Sequence, residues 1–537
     1  MRLLPAGVPG LLAILFAAFL GGLLSLERLG VAPDPLRLAA IVGTLALFVA
    51  VGLLAHTIRV PDYYVGGRAI SAAMGGAAAA AGGLLGAAFV GVSGFYYAFA
   101  QDGLRTIAAL VIAALAVFGL LGPALRRLGA ASVPDFLAAR FGGHGMRLLA
   151  GIVLGLSAFA ILVALLGEAT RFATNFSGFD AEATMAGLGL LLVLACVPGG
   201  ALSATATQIV QYAVSVGAYL VALAWLAFAA ISGTPAPATE LSIAAAAASA
   251  IAPLAERFAG SVGLDEAVIV LALAAGLVMS PFLMPKALSA AAPRRVPVMG
   301  GYAILYVVLP VVLLPLLVLG SGLLGISVAG GDVAPTFTRL RDMPAALAGL
   351  AVAAILALYL AAASAALMAA ASSLSHDLVD RVLMTRAPES RRLFIARTLL
   401  ALIALGACRT AAAVEIDPLA AIGVALAMSA TLLPPLLLGI WWRRANTAGA
   451  FMGIVAGLSV TAWSLAASGF DVMAPSILVL GGDGLALAAV AAFGVPIGLA
   501  VTMAFSLMTD EPKPRTQEFI DEIGRPRRDI LFKERPA

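Results

Sequence analysis

The fold is decided by residues 66–101, which read GGRAISAAMGGAAAAAGGLLGAAFVGVSGFYYAFAQ. This stretch is apolar enough to cross a bilayer, yet it carries paired glycines at Gly75-Gly76 and Gly82-Gly83. Glycine weakens a helix interior by roughly 1 kcal/mol relative to Ala, so these pairs are the expected places for the helix to unwind. Freed backbone groups at membrane depth are tolerated where they are buried in protein or line a wet cavity. The stretch therefore predicts a broken transmembrane helix that holds an ion or a small solute, with close helix packing as the alternative.

The composition is that of a protein that crosses a membrane many times. Of its 537 residues, 62% are hydrophobic and 11% are charged, and the mean hydropathy is +1.07. Because a bilayer core needs about 20 apolar residues per helix, the apolar runs predict about 13 to 14 transmembrane helices. The count depends on residues 11–26, which are either the first span or a signal segment. The net charge of +4 is too small to indicate a nucleic-acid partner, and Cys196 and Cys408 indicate neither a disulfide framework nor a metal site.

Basic residues collect in alternate loops, and this pattern sets the orientation. Arg126-Arg127, Lys286, Arg294-Arg295 and Arg443-Arg444 fall on one side, together with the basic tail from Lys513 onward. Cytoplasmic loops carry an excess of Lys and Arg. We therefore expect a multi-pass protein of the cell membrane with both termini in the cytoplasm.

A second interrupted helix follows at residues 266–288, where Gly276, Pro281 and Pro285 punctuate an apolar run. Proline removes a hydrogen-bond donor and clashes with the preceding turn, so this helix is expected to kink or break about midway. Two interrupted helices at corresponding positions of successive five-helix units indicate an inverted-repeat secondary transporter with its site at the bilayer midplane. The predicted units are residues 1–58 for N-terminal peripheral helices, 62–232 and 264–441 for the two repeats, 446–508 for C-terminal peripheral helices and 509–537 for a cytoplasmic tail.

Several short motifs occur in order along most of the chain. They are Asp62-Tyr63-Tyr64-Val65-Gly66-Gly67, Phe89-Val90-Gly91-Val92-Ser93-Gly94, Ser132-Val133-Pro134-Asp135-Phe136, Gly199-Gly200 with Gln208-Ile209, Ser375-His376-Asp377-Leu378, and Leu433-Pro434 with Trp442, Gly449 and Gly453. In this order they resemble the sodium:solute symporter family, and within it the cation/acetate symporter branch.

The resemblance implies an all-α, leucine-transporter-type fold, with two inverted five-helix repeats and peripheral helices. It also implies Na⁺-driven uptake of a small organic solute. The cation site of the family uses backbone carbonyls at the first break and hydroxyls on the eighth core helix. The corresponding positions here are the carbonyls of Ala81 and Leu84, and the side chains of Ala361 and Ala362, with Ser364 as the nearest hydroxyl.

The chain departs from the family pattern at the break itself. Where many members carry an Asp with polar neighbours, this chain reads Gly82, Gly83, Leu84 and Leu85. Because a desolvated Na⁺ wants about five or six hard oxygen ligands, the missing side-chain oxygens make Na⁺ coupling an open question. Three accounts stay open: a weakened, backbone-dominated Na⁺ site, a different coupling ion such as the proton, or a facilitator without coupling. Na⁺ is the possible coupling ion, and no other cofactor is expected.

The cavity between the two breaks is expected to be mostly apolar and to hold a small solute. Its predicted lining is Gly82, Gly86, Ala87, Ala88, Ser93, Met279 and Phe282. A short monocarboxylate such as acetate could place its charge at a half-helix N-terminus, where the helix dipole is positive. Apart from Arg409 near the outer end of a span, no Arg or Lys is placed by the sequence to act as an alternative partner.

Other readings of the chain are weaker. His376 is expected to serve a helix terminus, and Gln208 shares a helix face with Gln211, where both could bond across helices. An enzyme is not expected, because the spans hold no metal-ligand spacing, nucleophile with a base or carboxylate pair. The remaining alternative is a non-transporting sensor or structural membrane subunit. The expected partners are a small-molecule solute and membrane lipid, and the oligomeric state is left open.

Overall fold

The computed structural model of the protein describes residues 7–85, 102–231, 264–323, 343–414, 418–467 and 490–512. The described chain is helical, as its apolar composition requires, because a helix satisfies all its own backbone groups in lipid. In chain order, the helices are α1 (Val8–Arg28), α2 (Pro33–Leu54), α3 (Val60–Val65), α4 (Ala72–Ala79), α5 (Asp102–Ala114), α6 (Gly122–Arg127), α7 (Val133–Phe141), α8 (Gly143–Ser177), α9 (Ala181–Cys196), α10 (Ala201–Ile231), α11 (Leu264–Met279), α12 (Met284–Leu288), α13 (Val296–Leu323), α14 (Ala345–Ser372), α15 (Glu389–Ala413), α16 (Pro418–Ala430), α17 (Leu433–Trp441), α18 (Thr447–Ala467) and α19 (Ala491–Met508). Turns of π-helix cover Ala80–Leu85, Leu115–Leu121 and Ser373–Leu383.

Ten helical stretches among the described residues are long and apolar enough to cross a membrane. Two shorter apolar helices, Ala181–Cys196 and Ala267–Met279, accompany them. The prediction of an all-α, multi-pass membrane protein is therefore confirmed.

The core of the molecule is built around α14, which is buried along almost its whole length. Its sequence, AALAGLAVAAILALYLAAASAALMAAAS, consists largely of small residues. Small side chains let neighbouring backbones approach closely, which is the main source of helix association in a bilayer. Accordingly, α14 packs against α2, α8 and α10, and a Cβ added to Gly349 would lie 2.7 Å from the Cβ of Ala40 on α2.

The two glycine pairs of the first core helix have different roles. Gly75-Gly76 lies within the regular helix α4, and a Cβ on Gly76 would lie 2.6 Å from the Cβ of Tyr302 on α13. The expected unwinding at this first pair is therefore wrong, because the pair serves close packing. Gly82-Gly83 lies in the π turn Ala80–Leu85, so the regular helix is interrupted there by a wider turn.

The second interrupted helix breaks near its prolines, as the sequence predicts. Helix α11 ends at Met279, and α12 begins at Met284 with a proline in its first turn. The two breaks meet, because a Cβ added to Gly83 would lie 2.8 Å from the Cβ of Phe282. This contact places the two interruptions side by side in the protein interior.

Candidate functional site

A buried glutamine, Gln208, lies between the π turn Ala80–Leu85 and the central helix, α14. From α10, Gln208 Nε2 donates to the backbone oxygen of Ala361 and to Ser364 Oγ on α14, each at 2.9 Å. Ser364 Oγ in turn donates to the Ala361 oxygen at 2.8 Å. A Cβ added to Gly82 would lie 2.7 Å from Gln208 Nε2 and 3.2 Å from the Ala361 oxygen. Only glycine therefore lets the π turn approach α10 and α14 this closely.

These contacts bring together several of the residues expected at the cation site. Ala361 and Ser364 lie in one group next to the turn that contains Ala81, Gly82 and Leu84. Ala362 is buried on α14 and offers no side-chain oxygen. Hydroxyl and carbonyl oxygens are the ligands that hard cations prefer.

The amide of Gln208 leaves one polar atom without a partner. Gln208 is fully buried, and its Oε1 accepts no hydrogen bond from any of the described residues. A buried acceptor without a partner costs free energy, so it marks a place where a further donor or a cation would be stabilised. The sequence predicts that Gln208 bonds across helices. It does not identify Ala361 as the partner, because 153 residues separate the two.

A cavity of about 100 Å³ opens next to this group. Its lining includes Thr205, Gln208, Met279, Ser280, Lys286 and Met368. Of the residues predicted to line the solute cavity, Met279 lines this one, whereas Phe282 is buried against Gly83. Gly86, Ala87, Ala88 and Ser93 lie outside the described residues. The described lining is more polar than the sequence analysis expected.

Lys286 requires a correction to the sequence analysis. The charge pattern of the sequence places Lys286 among the basic residues of an inner loop, and the sequence predicts no lysine facing the solute. In the structure Lys286 is 7% exposed, lines the cavity, and donates from Nζ to Thr205 Oγ1 at 2.8 Å. The residue was missed because the break shifts it from the loop into the core.

A network of buried charges lines one part of the cavity through Ser132, His376 and Asp377. His376 Nε2 lies 3.1 Å from Asp135 Oδ2, and His376 Nδ1 lies 3.5 Å from Asp380 Oδ2. Ser132 Oγ donates to Asp377 Oδ1 at 2.7 Å. The motif containing Asp135 and the motif containing His376 therefore meet. The expected role of His376 at a helix terminus is wrong, because its ring pairs with a carboxylate on another helix.

Arginines balance the carboxylates of this network. Arg147 pairs with Asp135, and Arg392 pairs with Asp380. Asp135, His376 and Asp377 offer atoms within 4.8 Å of one another, a spacing that could suit a metal, but Arg147 already binds this group. Burial opposes the ionisation of Asp135, yet His376 and the nearby arginines hold the pKa of this carboxyl below its usual range. The network is therefore an ionised structural link between α7 and the π turn Ser373–Leu383.

Comparison with known proteins agrees with this architecture. The model of the sodium:solute symporter family matches residues 63–457. An uncharacterized symporter of Cupriavidus necator, H16_A2524, is 32% identical over 192 residues, which are 34% of this chain and 28% of that protein. The uncharacterized symporter YwcA of Bacillus subtilis is 27% identical over 173 residues, which are 32% of this chain and 33% of that protein. The chain thus spans a third or less of the length of these two relatives.

A solved structure shares the fold. A Na⁺-coupled sialic acid symporter, in a substrate-bound outward-open state, superposes with a TM-score of 0.71 at 18% identity over 89% of this chain and 98% of that one. This likeness confirms the leucine-transporter-type fold expected from the sequence. The match to the family model covers well over half of the chain. The chain therefore belongs to the sodium:solute symporter family.

Proposed function

We propose that this protein is a Na⁺-coupled symporter of a small organic solute in the cell membrane. The observation that carries the proposal is the meeting of Gln208, Ala361 and Ser364 at the π turn of the first core helix. Helix α10, helix α14 and the π turn Ala80–Leu85 converge there. Membership of the sodium:solute symporter family supports the coupling ion.

The oxygens at this place suit Na⁺. The carbonyl of Ala361, the hydroxyl of Ser364 and the partnerless Oε1 of Gln208 are hard ligands, and the carbonyls of Ala81 and Leu84 in the π turn would complete the set. An amide carries donors at one end and an acceptor at the other. Turning the Gln208 amide about its last bond exchanges Nε2 for Oε1 and thereby converts a donor into a ligand.

The π turn couples the cation site to the solute cavity. Gly82 lies against Gln208 and Ala361, and the next residue, Gly83, lies against Phe282 of the second break. A ligand that holds the turn against α14 therefore also fixes the contact between the two breaks. Two ligands that bind the same conformation of one element favour each other's binding. Symport requires this positive coupling between ion and solute.

A small monocarboxylate such as acetate is the solute that we propose first. The cavity of about 100 Å³ has room for a solute of a few heavy atoms. Met279 and Met368 provide apolar contacts for a short alkyl chain. The motifs that resemble the acetate branch point in the same direction.

A facilitator without Na⁺ coupling is the second candidate, and one observation favours it. Gln208 Nε2 already donates to both the Ala361 oxygen and Ser364 Oγ, so these two acceptors are satisfied without an ion. If the amide keeps this orientation through the cycle, the side chain takes the place of the cation.

Uptake of labelled acetate by proteoliposomes distinguishes the two candidates. The purified protein is tested under an inward Na⁺ gradient, an inward proton gradient and no gradient, with empty liposomes as the control. A symporter accumulates acetate above equilibrium under the Na⁺ gradient. Uptake that merely equilibrates under all three conditions would support the facilitator, and accumulation under the proton gradient alone would assign a different coupling ion.

A further inference from the structure

We propose that Lys286 and Thr205 form the site that recognises the carboxylate of the transported solute, an inference that rests on the proposed transport function. Lys286 belongs to α12, the short helix that follows the second break, and Thr205 belongs to α10. Their side chains meet at 2.8 Å on the wall of the cavity. The chain's other lysines, Lys513 and Lys533, lie in the C-terminal tail.

The amine of Lys286 is buried with no negative partner among the described residues, and this burial lowers its pKa to about 7. None of the ion pairs among the described residues includes Lys286, and Thr205 is the residue whose oxygen it contacts. A buried charge is costly unless it is paired and hydrogen-bonded. An ammonium has three donors, and the bond to Thr205 uses one of them. The remaining donors are available to an anion that enters the cavity.

The acidic residue in the described lining of the cavity, Asp377, is already engaged elsewhere. Asp377 accepts from Ser132, and Arg147 lies 3.9 Å from the same carboxylate oxygen. Because these charges are paired, they do not neutralise Lys286. The cation therefore selects for a negative charge on the solute.

The rest of the lining limits the solute to one carboxylate and a short apolar body. Met279, Met284 and Met368 lie around the cavity with Lys286. An amino acid would also need a carboxylate for its ammonium group, and Asp377 is already engaged with Ser132. A dicarboxylate would need a second cation next to Lys286. The lining thus fits a short monocarboxylate, which gains a charge-assisted hydrogen bond that its neutral amide lacks.

The first test uses the wild-type protein and pairs of ligands that differ only in charge. Acetate and propionate are compared with acetamide and propionamide as competitors of labelled acetate uptake and as stabilisers of the purified protein against thermal unfolding. We expect the carboxylates to act at concentrations roughly tenfold to a hundredfold lower than the amides. Equal potency of acid and amide would overturn the proposal. Inorganic phosphate and sulfate acting as well as acetate would overturn the assignment to a monocarboxylate.

The second test removes the charge. Lys286→Met keeps most of the length and apolar volume of the side chain, and Ser289→Ala is the matched control, because Ser289 lines the same cavity and its Oγ donates to the Lys286 backbone oxygen at 2.7 Å. We expect the preference for acid over amide to disappear in Lys286→Met and to persist in Ser289→Ala. A folded Lys286→Met protein that keeps the wild-type preference would contradict the assignment. If Lys286→Met does not fold, the wild-type comparison of acid and amide decides.

The two readouts separate this inference from the proposed function. If no solute is taken up under any gradient while acetate still stabilises the purified protein more than acetamide, transport fails and the anion site stands. If uptake occurs but acid and amide compete and stabilise equally well, the transport function is supported and the anion site is contradicted.

Discussion

Gln208 holds together three elements that are distant in the sequence. Its amide contacts Ala361 and Ser364 on α14, and its helix packs so closely on the π turn that Gly82 has no room for a Cβ. The sequence placed Gln208 on a helix face with polar character, but its partners lie more than 150 residues away. Helical periodicity carries no information on contacts of that kind.

Ser364→Ala is expected to weaken Na⁺ dependence without preventing folding. The substitution removes one oxygen from the proposed cation site, and each unsatisfied partner costs about 1–3 kcal/mol, so the half-saturating Na⁺ concentration should rise by roughly one to two decades. The measurement is acetate uptake by proteoliposomes as a function of Na⁺ concentration. Ser215→Ala is the control, because Ser215 also bonds from α10 to α14, at the Ala354 oxygen, but away from the π turn. An unchanged Na⁺ dependence in Ser364→Ala would exclude this hydroxyl from the cation site.

Gly82→Ala is expected to abolish Na⁺-dependent uptake. A Cβ at this position would lie 2.7 Å from Gln208 Nε2, so either the amide or the π turn must move. Gly119→Ala is the matched control, because Gly119 lies in another π turn, Leu115–Leu121, and a Cβ there meets nothing within 4 Å. Both proteins should reach the membrane in amounts similar to wild type. Normal uptake by Gly82→Ala would show that the close approach at this turn is dispensable.

At the scale of elements, the glycine pairs show how far the sequence could predict the breaks. Both pairs weaken helix α4 and its continuation equally in terms of propensity. Their different outcomes depend on neighbours: Gly76 faces α13 across a close contact, whereas Gly83 faces the second break. The sequence predicted the second break more sharply, because proline acts on its own helix and needs no neighbour.

The network of buried charges around His376 depends on a π turn that no local sequence pattern predicts. The turn Ser373–Leu383 directs His376 towards Asp135 and Asp380. The two motifs involved were each visible in the sequence, but their pairing was not. This link joins α7 to the end of α14 next to the cavity.

Asp135→Asn is expected to destabilise the protein by about 3–5 kcal/mol at neutral pH, because it leaves a buried ion-pair network without one of its charges. The measurement is thermal unfolding of the purified protein. Asp34→Asn is the control, because the ion pair of Asp34 with Arg37 is exposed and contributes at most about 1 kcal/mol.

The same variant has a defined pH dependence. The pKa of Asp135 is lowered in the folded protein, so its stabilising contribution is complete above the unfolded value of 3.8 and is lost as the pH falls through the lower folded value. The difference in stability between wild type and Asp135→Asn should therefore shrink as the pH falls through this lower value under strong acid. A difference that is unchanged under strong acid would contradict an ionised Asp135.

At the scale of the whole molecule, the composition and the two interrupted helices were sufficient to predict the fold class. Apolar runs fix the spans, and the spacing of the breaks indicates two repeats. The burial of Lys286 was not predicted. The excess of Lys and Arg in cytoplasmic loops, which sets the orientation, also assigns basic residues near helix ends to loops. Its burial follows from the break between α11 and α12, which is a property of the tertiary structure.

The orientation of the molecule is a separate prediction. Because basic residues collect in alternate loops, a reporter fused to the C-terminus should be cytoplasmic, and one inserted near Glu240 should face the opposite side. Paired reporters active in the cytoplasm and outside it measure the sidedness. An external C-terminus would reverse the assignment of every loop.

We propose that a solute and Na⁺ cross the membrane together. Because coupling is reciprocal, a gradient of the solute should also drive Na⁺. The most direct measurement is therefore the uptake of labelled Na⁺ into proteoliposomes that start with equal Na⁺ on both sides and an inward gradient of acetate. The account predicts that the acetate gradient drives Na⁺ inward above its starting concentration, and that Gly82→Ala removes this movement. Acetate entry that leaves the Na⁺ distribution unchanged would contradict symport.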